Sequence, residues 1–185
     1  VQRVGGPSVP DPMHTDLIRV EDLRAADLLD EPQILSLNEA NVVATAPLSA
    51  SALRNLLSMA FRARVHGRHG HLHGFLIALD EAAPSESPHF RWFLERLPRF
   101  VYIDRVVVSD AVRRRGLGRA LYRDLAIAAQ RAGQHLLCCE VNVDPPNPVS
   151  DAFHASMGFV EMGRALLAGS QKSVRYLVRD VTILP

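Results

Sequence analysis

The chain has 185 residues, enough to bury one substantial core, and its 21 basic and 20 acidic side chains leave a formal charge of only +1. So small an excess excludes a protein-wide field for nucleic acid or membrane, and any electrostatic function has to be local. No apolar run approaches a membrane span, and the two cysteines, Cys138 and Cys139, are neighbours that a strand points to opposite faces, so no disulfide between them and a reducing, cytoplasmic setting are expected.

The opening VQRVGGPSVPDP is rich in Pro and Gly and lacks a signal peptide's apolar stretch; residues 1–13 read as a tail or expression remnant, and 14–185 as a single domain. Asp16–Val20 is a candidate first strand. In DEPQILSLNEANV, Asp30 stands where a helix cap would, ahead of Ile34, Leu35, Leu37 and Val42 at helical spacing. SASALRNLLSMAF predicts a second helix with Leu53, Leu56, Leu57 and Ala60 along one stripe. RARVHGRHGHLHGFLIALD predicts two strands around a Gly/His turn, and EAAPSESPHFRWFLERLP a Pro-punctuated excursion with a short helix near Trp92. RFVYIDRVVV follows as a strand. Leu117, Leu121, Leu125, Ala128 and Ala132 then mark an amphipathic helix closed by Gly133. HLLCCEV reads as a parallel strand covered on both faces, completing a βαβ unit. A short helix and two strands, FVEMGRALLA and SVRYLVRDV, end the chain.

The turn between that strand and helix, VSDAVRRRGLGRALYRDL, gathers Arg113, Arg114, Arg115, Arg119 and Arg123 around Gly116 and Gly118. A helix N-terminus leaves amides unpaired and carries partial positive charge, and glycine clears side chains from the approach, so the turn suits a phosphate. A P-loop would need Gly-Lys-Ser/Thr and a Rossmann fingerprint a third glycine where Leu121 stands. The alternative is a solvated basic bend. Farther on, Asn147 before Pro148 starts a helix that Gly158 stops, with Asn147, Ser150 and His154 on one face and Val149, Phe153 and Met157 beside them. His66, His69, His71 and His73 invite a metal, but no cysteine or third fixed ligand accompanies them, and a solvated hairpin is the expectation.

Arg113-Arg114-Arg115-Gly116-Leu117-Gly118 resembles the R/Q-x-x-G-x-G/A signature of the GNAT superfamily of N-acetyltransferases. The strand ending in VVV is similar to its motif A, and NPVSDAFHASMGF to its motif B, N-x-x-A-x-x-x-Y-x-x-x-G-F. The likeness covers about residues 100–160, and EVNVDPPNPVSDAFH resembles an uncharacterised bacterial branch. It implies an α/β (α+β) fold: a mixed, mostly antiparallel sheet of about seven strands, about four helices, and a central parallel pair that splays apart.

It also implies acetyl-CoA as acyl donor, no metal, and a primary amine as acceptor, attacked directly in a ternary complex. Backbone amides of Arg113, Arg114, Arg115, Gly116, Leu117, Gly118, Arg119 and Ala120 would hold the pyrophosphate, and the main chain of Val106, Val107 and Val108 the pantetheine arm, like an added strand. Asn147, Ser150 and Phe153 would line that arm. A backbone N–H near Val107 or Val108 would serve the oxyanion. His154 stands where the family has the tyrosine that protonates the departing thiolate, so it would sit near the sulfur. The base is Glu140, similar to a glutamate of ribosomal-protein N-acetyltransferases, or Asp104, on the strand face of Tyr102 and Val106, or a solvent relay. Homodimers are common in such a family; no nucleic acid or membrane partner is expected. A non-catalytic acyl-CoA sensor is the rival function, and a nucleotide-phosphate binder without CoA a third.

Overall fold

The computed structural model describes residues 17–144, 146–166 and 173–182, so the expected tail of residues 1–13 lies outside the described residues. Seven strands, β1 (Leu23–Ala25), β2 (Arg62–Arg68), β3 (His71–Asp80), β4 (Val101–Val108), β5 (Leu136–Asn142), β6 (Val160–Leu166) and β7 (Ser173–Asp180), make one sheet in the order β1-β2-β3-β4-β5-β7-β6. All neighbours are antiparallel except β4 and β5. The helices are α1 (Glu31–Glu39), α2 (Val42–Thr45), α3 (Ala50–Ser58), α4 (Pro88–Leu94), α5 (Leu117–Arg131) and α6 (Pro148–Ser156). That is six among the described residues rather than about four, one of them the single turn α2.

Of the expected first strand, Asp16 lies outside the described residues, and Leu17–Val20 form no strand. Ile18 instead tucks against the core and its N–H bonds to the Arg115 carbonyl at 2.9 Å, so strand pairing begins only at Leu23, opposite His66. Asp30 precedes α1 as expected, but its carboxylate grips Arg24 at 2.6 and 2.7 Å instead of capping the helix.

The two faces of the sheet carry separate cores. On one, Leu117, Leu121 and Leu125 of α5 pack on Leu76, Val101, Ile103 and Leu137, with Phe153 and Met157 of the α6 region at the edge. On the other, Ile34 of α1, Leu53 and Leu56 of α3, and Phe90 and Phe93 of α4 cover Phe75, Ile77, Tyr102 and Tyr176. Fifteen residues long, α5 is pinned through a charge as well as through its stripe. Asp124, 3% exposed, takes Nε and Nη2 of Arg62 (2.8 and 2.8 Å) and of Arg64 (3.2 and 3.1 Å). Burial alone would raise the Asp124 carboxyl, but the two arginines outweigh it and hold it below its usual range. Its stabilisation is therefore present above the unfolded carboxyl's pKa of about 4 and is lost as pH falls through the lower folded value. Asp124→Asn, which leaves two guanidiniums without their carboxylate, should cost about 3 kcal/mol in chemical denaturation.

Two irregularities shape the centre of the sheet. β4 and β5 pair only at Val101–Leu137 and Tyr102–Cys138. Beyond that, β4 stays with β3 out to Val108 and β5 stays with β7 out to Asn142, so the carboxyl ends of the parallel pair part and leave two unpaired backbone edges facing a gap. Ligands of open α/β sheets bind at such carboxyl ends. The second irregularity is a bulge: Ile77 faces Arg105 while Ala78 faces Ile103, which makes Asp104 the extra residue. A bulge resets the two-residue alternation. Val106 and Val108 thus join Val101 and Ile103 on the α5 face, while Tyr102 and Val107 lie on the other. The expected common face of Tyr102, Asp104 and Val106 is broken, because Val106 turns to the side opposite Tyr102.

Candidate active site

The chain leaves β4 through Ser109, whose N–H bonds to the His73 carbonyl at 2.8 Å, and reaches α5 by a turn that needs left-handed backbone twice. Arg114 has φ +63° and Gly116, the cap position, φ +81°. No side chain among the described residues caps α5. The amides of its first turn, which have no partner within a helix, therefore face the mouth of the gap with the positive end of the helix dipole behind them.

Two of the arginines are engaged elsewhere. Arg113 pairs with Asp110 at 2.7 Å, and Arg119 reaches across to Ser156 Oγ at 3.0 Å and Met157 Sδ at 3.4 Å. Arg115 is half-buried and its charge bears on His66 and His73. The features of the turn that suit an anion are its backbone amides and the helix dipole. Gly118 has a second role that its spacing did not reveal. A Cβ there would lie 3.3 Å from the ring of Phe153, so the missing side chain lets α6 close against α5.

α6 begins as its sequence predicts, with Asn147 Oδ1 accepting the Ser150 amide at 3.1 Å and proline next. His154, however, is enclosed. It is 6% exposed, among the rings of Tyr122, Phe153 and Phe159. Its Nδ1 lies 2.8 Å from the Ser150 carbonyl, with the Ser150 hydroxyl at 3.2 Å. A carbonyl only accepts, so Nδ1 carries the proton and Nε2 accepts from the Tyr122 hydroxyl at 2.8 Å. Burial lowers its pKa, so the ring stays neutral. Both nitrogens are engaged, Nε2 joining α6 to α5 and Nδ1 bonding within α6, which leaves no proton to offer a sulfur. His154→Phe should lower stability by about 1–3 kcal/mol, read as a fall in Tm, by leaving the buried Tyr122 hydroxyl without its partner.

On the opposite face, where β5 has just parted from β4, stands Glu140. Tyr102 donates to its Oε2 at 2.9 Å, and Tyr176 is its cross-strand neighbour. Burial pushes the Glu140 carboxyl up to about 8; the Tyr102 hydrogen bond opposes that rise and the nearby Asp104 charge adds to it. Asp104 itself is engaged by the Arg105 guanidinium at 2.8 Å, which also bonds Asn38 Oδ1 at 2.8 Å, while Asn38 Nδ2 holds the Ala46 carbonyl at 3.0 Å. The bulge thus ties the loop after α2 to β4. Of the two acids, Glu140 has the basicity suited to a neutral-pH base and Asp104 has an internal counter-ion.

The Pro-punctuated excursion folds into α4, which packs on the Tyr176 side of the sheet. Phe90 and Phe93 are core, whereas Ser87, His89 and Trp92 are half-buried, Trp92 packing against that core. His89 Nδ1 lies 3.1 Å from the Tyr176 hydroxyl, and Trp92 stacks on Tyr176 at 4.0 Å and 14°. Tyr102, Tyr176 and His89 were not singled out from the sequence. The only local signal was an aromatic in each of two β-branched runs, which a packed core explains equally well.

Cys138 and Cys139 are buried free thiols on opposite faces, their pKa values raised by burial. At the hairpin, His73 lies against both His66 (centroids 5.3 Å apart) and His71 (4.7 Å). His69 instead bonds Asp30, and with Asp27 these form the one trio among the described residues whose ligand atoms converge; Arg24 already holds both Asp30 oxygens. No helix among the described residues is long and apolar enough to cross a membrane.

The family model Acetyltransferase (GNAT) matches residues 38–159. The chain is similar in fold to Ard1 from Thermoplasma volcanium, with 16% identity and a TM-score of 0.68 over 87% of this chain and 97% of that one. It is similar to yncA from Salmonella typhimurium, described with its cofactor acetyl-CoA, with 20% identity and a TM-score of 0.64 over 88% and 95%. The ribosomal-protein alanine N-acetyltransferase from Escherichia coli gives 17% and 0.63, again over 88% and 95%. Identities this low speak for the fold alone. No curated protein matches the chain in sequence.

Proposed function

Because the chain belongs to the acetyltransferase (GNAT) family, we propose that it moves the acetyl group of acetyl-CoA to a primary amine by direct attack in a ternary complex. The observation that carries this reading is Glu140: a carboxyl with a pKa of about 8, set where β5 departs from β4. The gap fits an extended, phosphate-bearing ligand. It has a free β4 edge at Val106–Val108 for the amides of an added strand, and the uncapped first turn of α5 at its end. In this reading the amides from Arg113 to Ala120 hold the diphosphate, and Asn147, Ser150 and Phe153 flank the arm. Acetyl-CoA supplies the thioester that makes the acetyl group transferable.

The residues of this chain do the rest. An amine of lysine type arrives as an ammonium with a pKa near 10, and Glu140 takes one proton from it. A backbone N–H near Val107 or Val108 steadies the carbonyl oxygen as charge develops on it. A thiol of pKa about 8.5 is a fair leaving group that needs little acid help, consistent with a His154 that is committed elsewhere.

That same commitment favours a second reading, an acyl-CoA sensor without turnover. The two part in a thermal-shift experiment followed by turnover. Acetyl-CoA should raise the Tm by several degrees while ATP and NAD do not; a shift with every nucleotide would reject a CoA site. Amine-dependent thiol release then separates enzyme from sensor. Homodimerisation and a cytoplasmic setting belong to the same proposal.

A further inference from the structure

A second charged cluster sits farther along α5, and it holds more positive charge than pinning the helix requires. Arg62 meets Asp124 as a fork, Nε and Nη2 both at 2.8 Å, and that pair alone would fix α5 to β2. Arg64 shares the same two oxygens at 3.2 and 3.1 Å. Two guanidiniums against one carboxylate leave one positive charge over. No described hydrogen bond takes up Nη1 of either arginine, and their side chains are 32% and 20% exposed. Both line a cleft of about 620 Å³ between α5 and the β1–β2 side of the sheet, a volume within the range of small-molecule sites. Arg131, exposed on the last turn of α5 and without an ion pair among the described residues, brings a third guanidinium to the lining. The two acids of the lining are already paired, Asp124 with Arg62 and Arg64, and Glu21 with Arg19 at 3.7 Å. Leu23, Phe61, Ile127 and Ala128 supply apolar surface.

We propose that this cleft is a binding site for a small carboxylate with an apolar body. The Nη1–Nη2 edge of a guanidinium matches the two oxygens of a carboxylate as its Nε–Nη2 edge does, so arginines that grip Asp124 on one edge keep another for a ligand. A single negative charge cancels the surplus, in a half-buried setting where an uncompensated charge is costly. The hydrocarbon lies on Phe61 and Ile127, and its burial there adds to the affinity. The site is separate from the gap, because Gly118 in the first turn of α5 and Ile127 are about 14 Å apart along the helix. Binding in the cleft therefore does not require the gap to hold acetyl-CoA.

Hexanoate and its uncharged isostere hexanamide are the probes, titrated into isotope-labelled full chain near neutral pH at constant ionic strength and followed by NMR. Hexanoate should shift the amides around Phe61–Arg64 and Asp124–Arg131 saturably, with a dissociation constant on the order of 1 mM. Its methyl end should give nuclear Overhauser contacts to Phe61 and Ile127. Hexanamide should bind about tenfold more weakly or worse, because it leaves the surplus charge unanswered. Arg64→Lys keeps a charge beside Asp124 but loses the fork, and should weaken hexanoate about tenfold. Arg131→Gln, at an exposed position, should weaken it about threefold. The site is overturned by the absence of a saturable shift up to about 50 mM, by equal affinity for the two probes, or by Overhauser contacts confined to residues outside the cleft. Parental affinity in both variants overturns it as well, and Arg131→Gln together with hexanamide decides if Arg64→Lys does not fold.

Discussion

Glu140→Gln should lower the turnover of acetyl transfer on the order of 100-fold to 10,000-fold while leaving the dissociation constant for acetyl-CoA within about threefold, because a general base acts in the transition state and not on the coenzyme. The pH dependence gives the sharper signature. Only the ionised carboxylate accepts a proton, so the rate should climb with pH up to about 8 and level off above it. In the glutamine variant that limb should vanish. Stability should move the other way. The folded pKa of about 8 lies far above an unfolded glutamate's, so between the two values the folded state holds a proton that the unfolded state does not, and stability falls as pH rises. Glutamine carries no such cost, and the variant should melt higher than the parent at alkaline pH. A dead enzyme that is also less stable would point to a damaged fold and not to a missing base.

Gly118→Asp should weaken CoA binding about 100-fold or more. The new carboxylate sits in the first turn of α5, where charge-assisted bonds from backbone amides to a diphosphate, each worth about 1.5–3 kcal/mol, would be contested. Steric effects add to this, since a Cβ at 118 meets the Phe153 ring at 3.3 Å. Gly118→Ala separates the two contributions: it presses on Phe153 without adding charge and should lose only a small part of the affinity. Calorimetric titration of both variants with CoA measures the difference, and equal losses would assign the effect to α5–α6 packing alone.

What the sequence revealed was what is written locally. The stripe from Leu117 to Ala132 dictates α5, Asn147-Pro148 fixes the start of α6, and Gly116 marks the left-handed turn into α5. The remainder depends on residues far apart in the chain. The alternation of VYIDRVVV reads as one regular strand, and only pairing with β3 exposes the bulge that sends Val106 away from Tyr102. His154 looks like a site residue from its motif position; its partner Tyr122 is 32 residues away, and only their meeting turns an imidazole into a link between helices. Glu140 and Tyr102 are 38 residues apart, so neither the raised pKa nor their hydrogen bond was legible before the strands were set side by side. Gly118 was legible as a cradle glycine but not as the seat of Phe153.

The most direct test of an acetyl-CoA-dependent N-acetyltransferase is thiol release from acetyl-CoA across a panel of amino acids, polyamines and peptides with free N-termini or lysines. At least one amine should give saturable, amine-dependent release that Glu140→Gln loses. Tight binding of acetyl-CoA with no release above the amine-free rate for any member would contradict it.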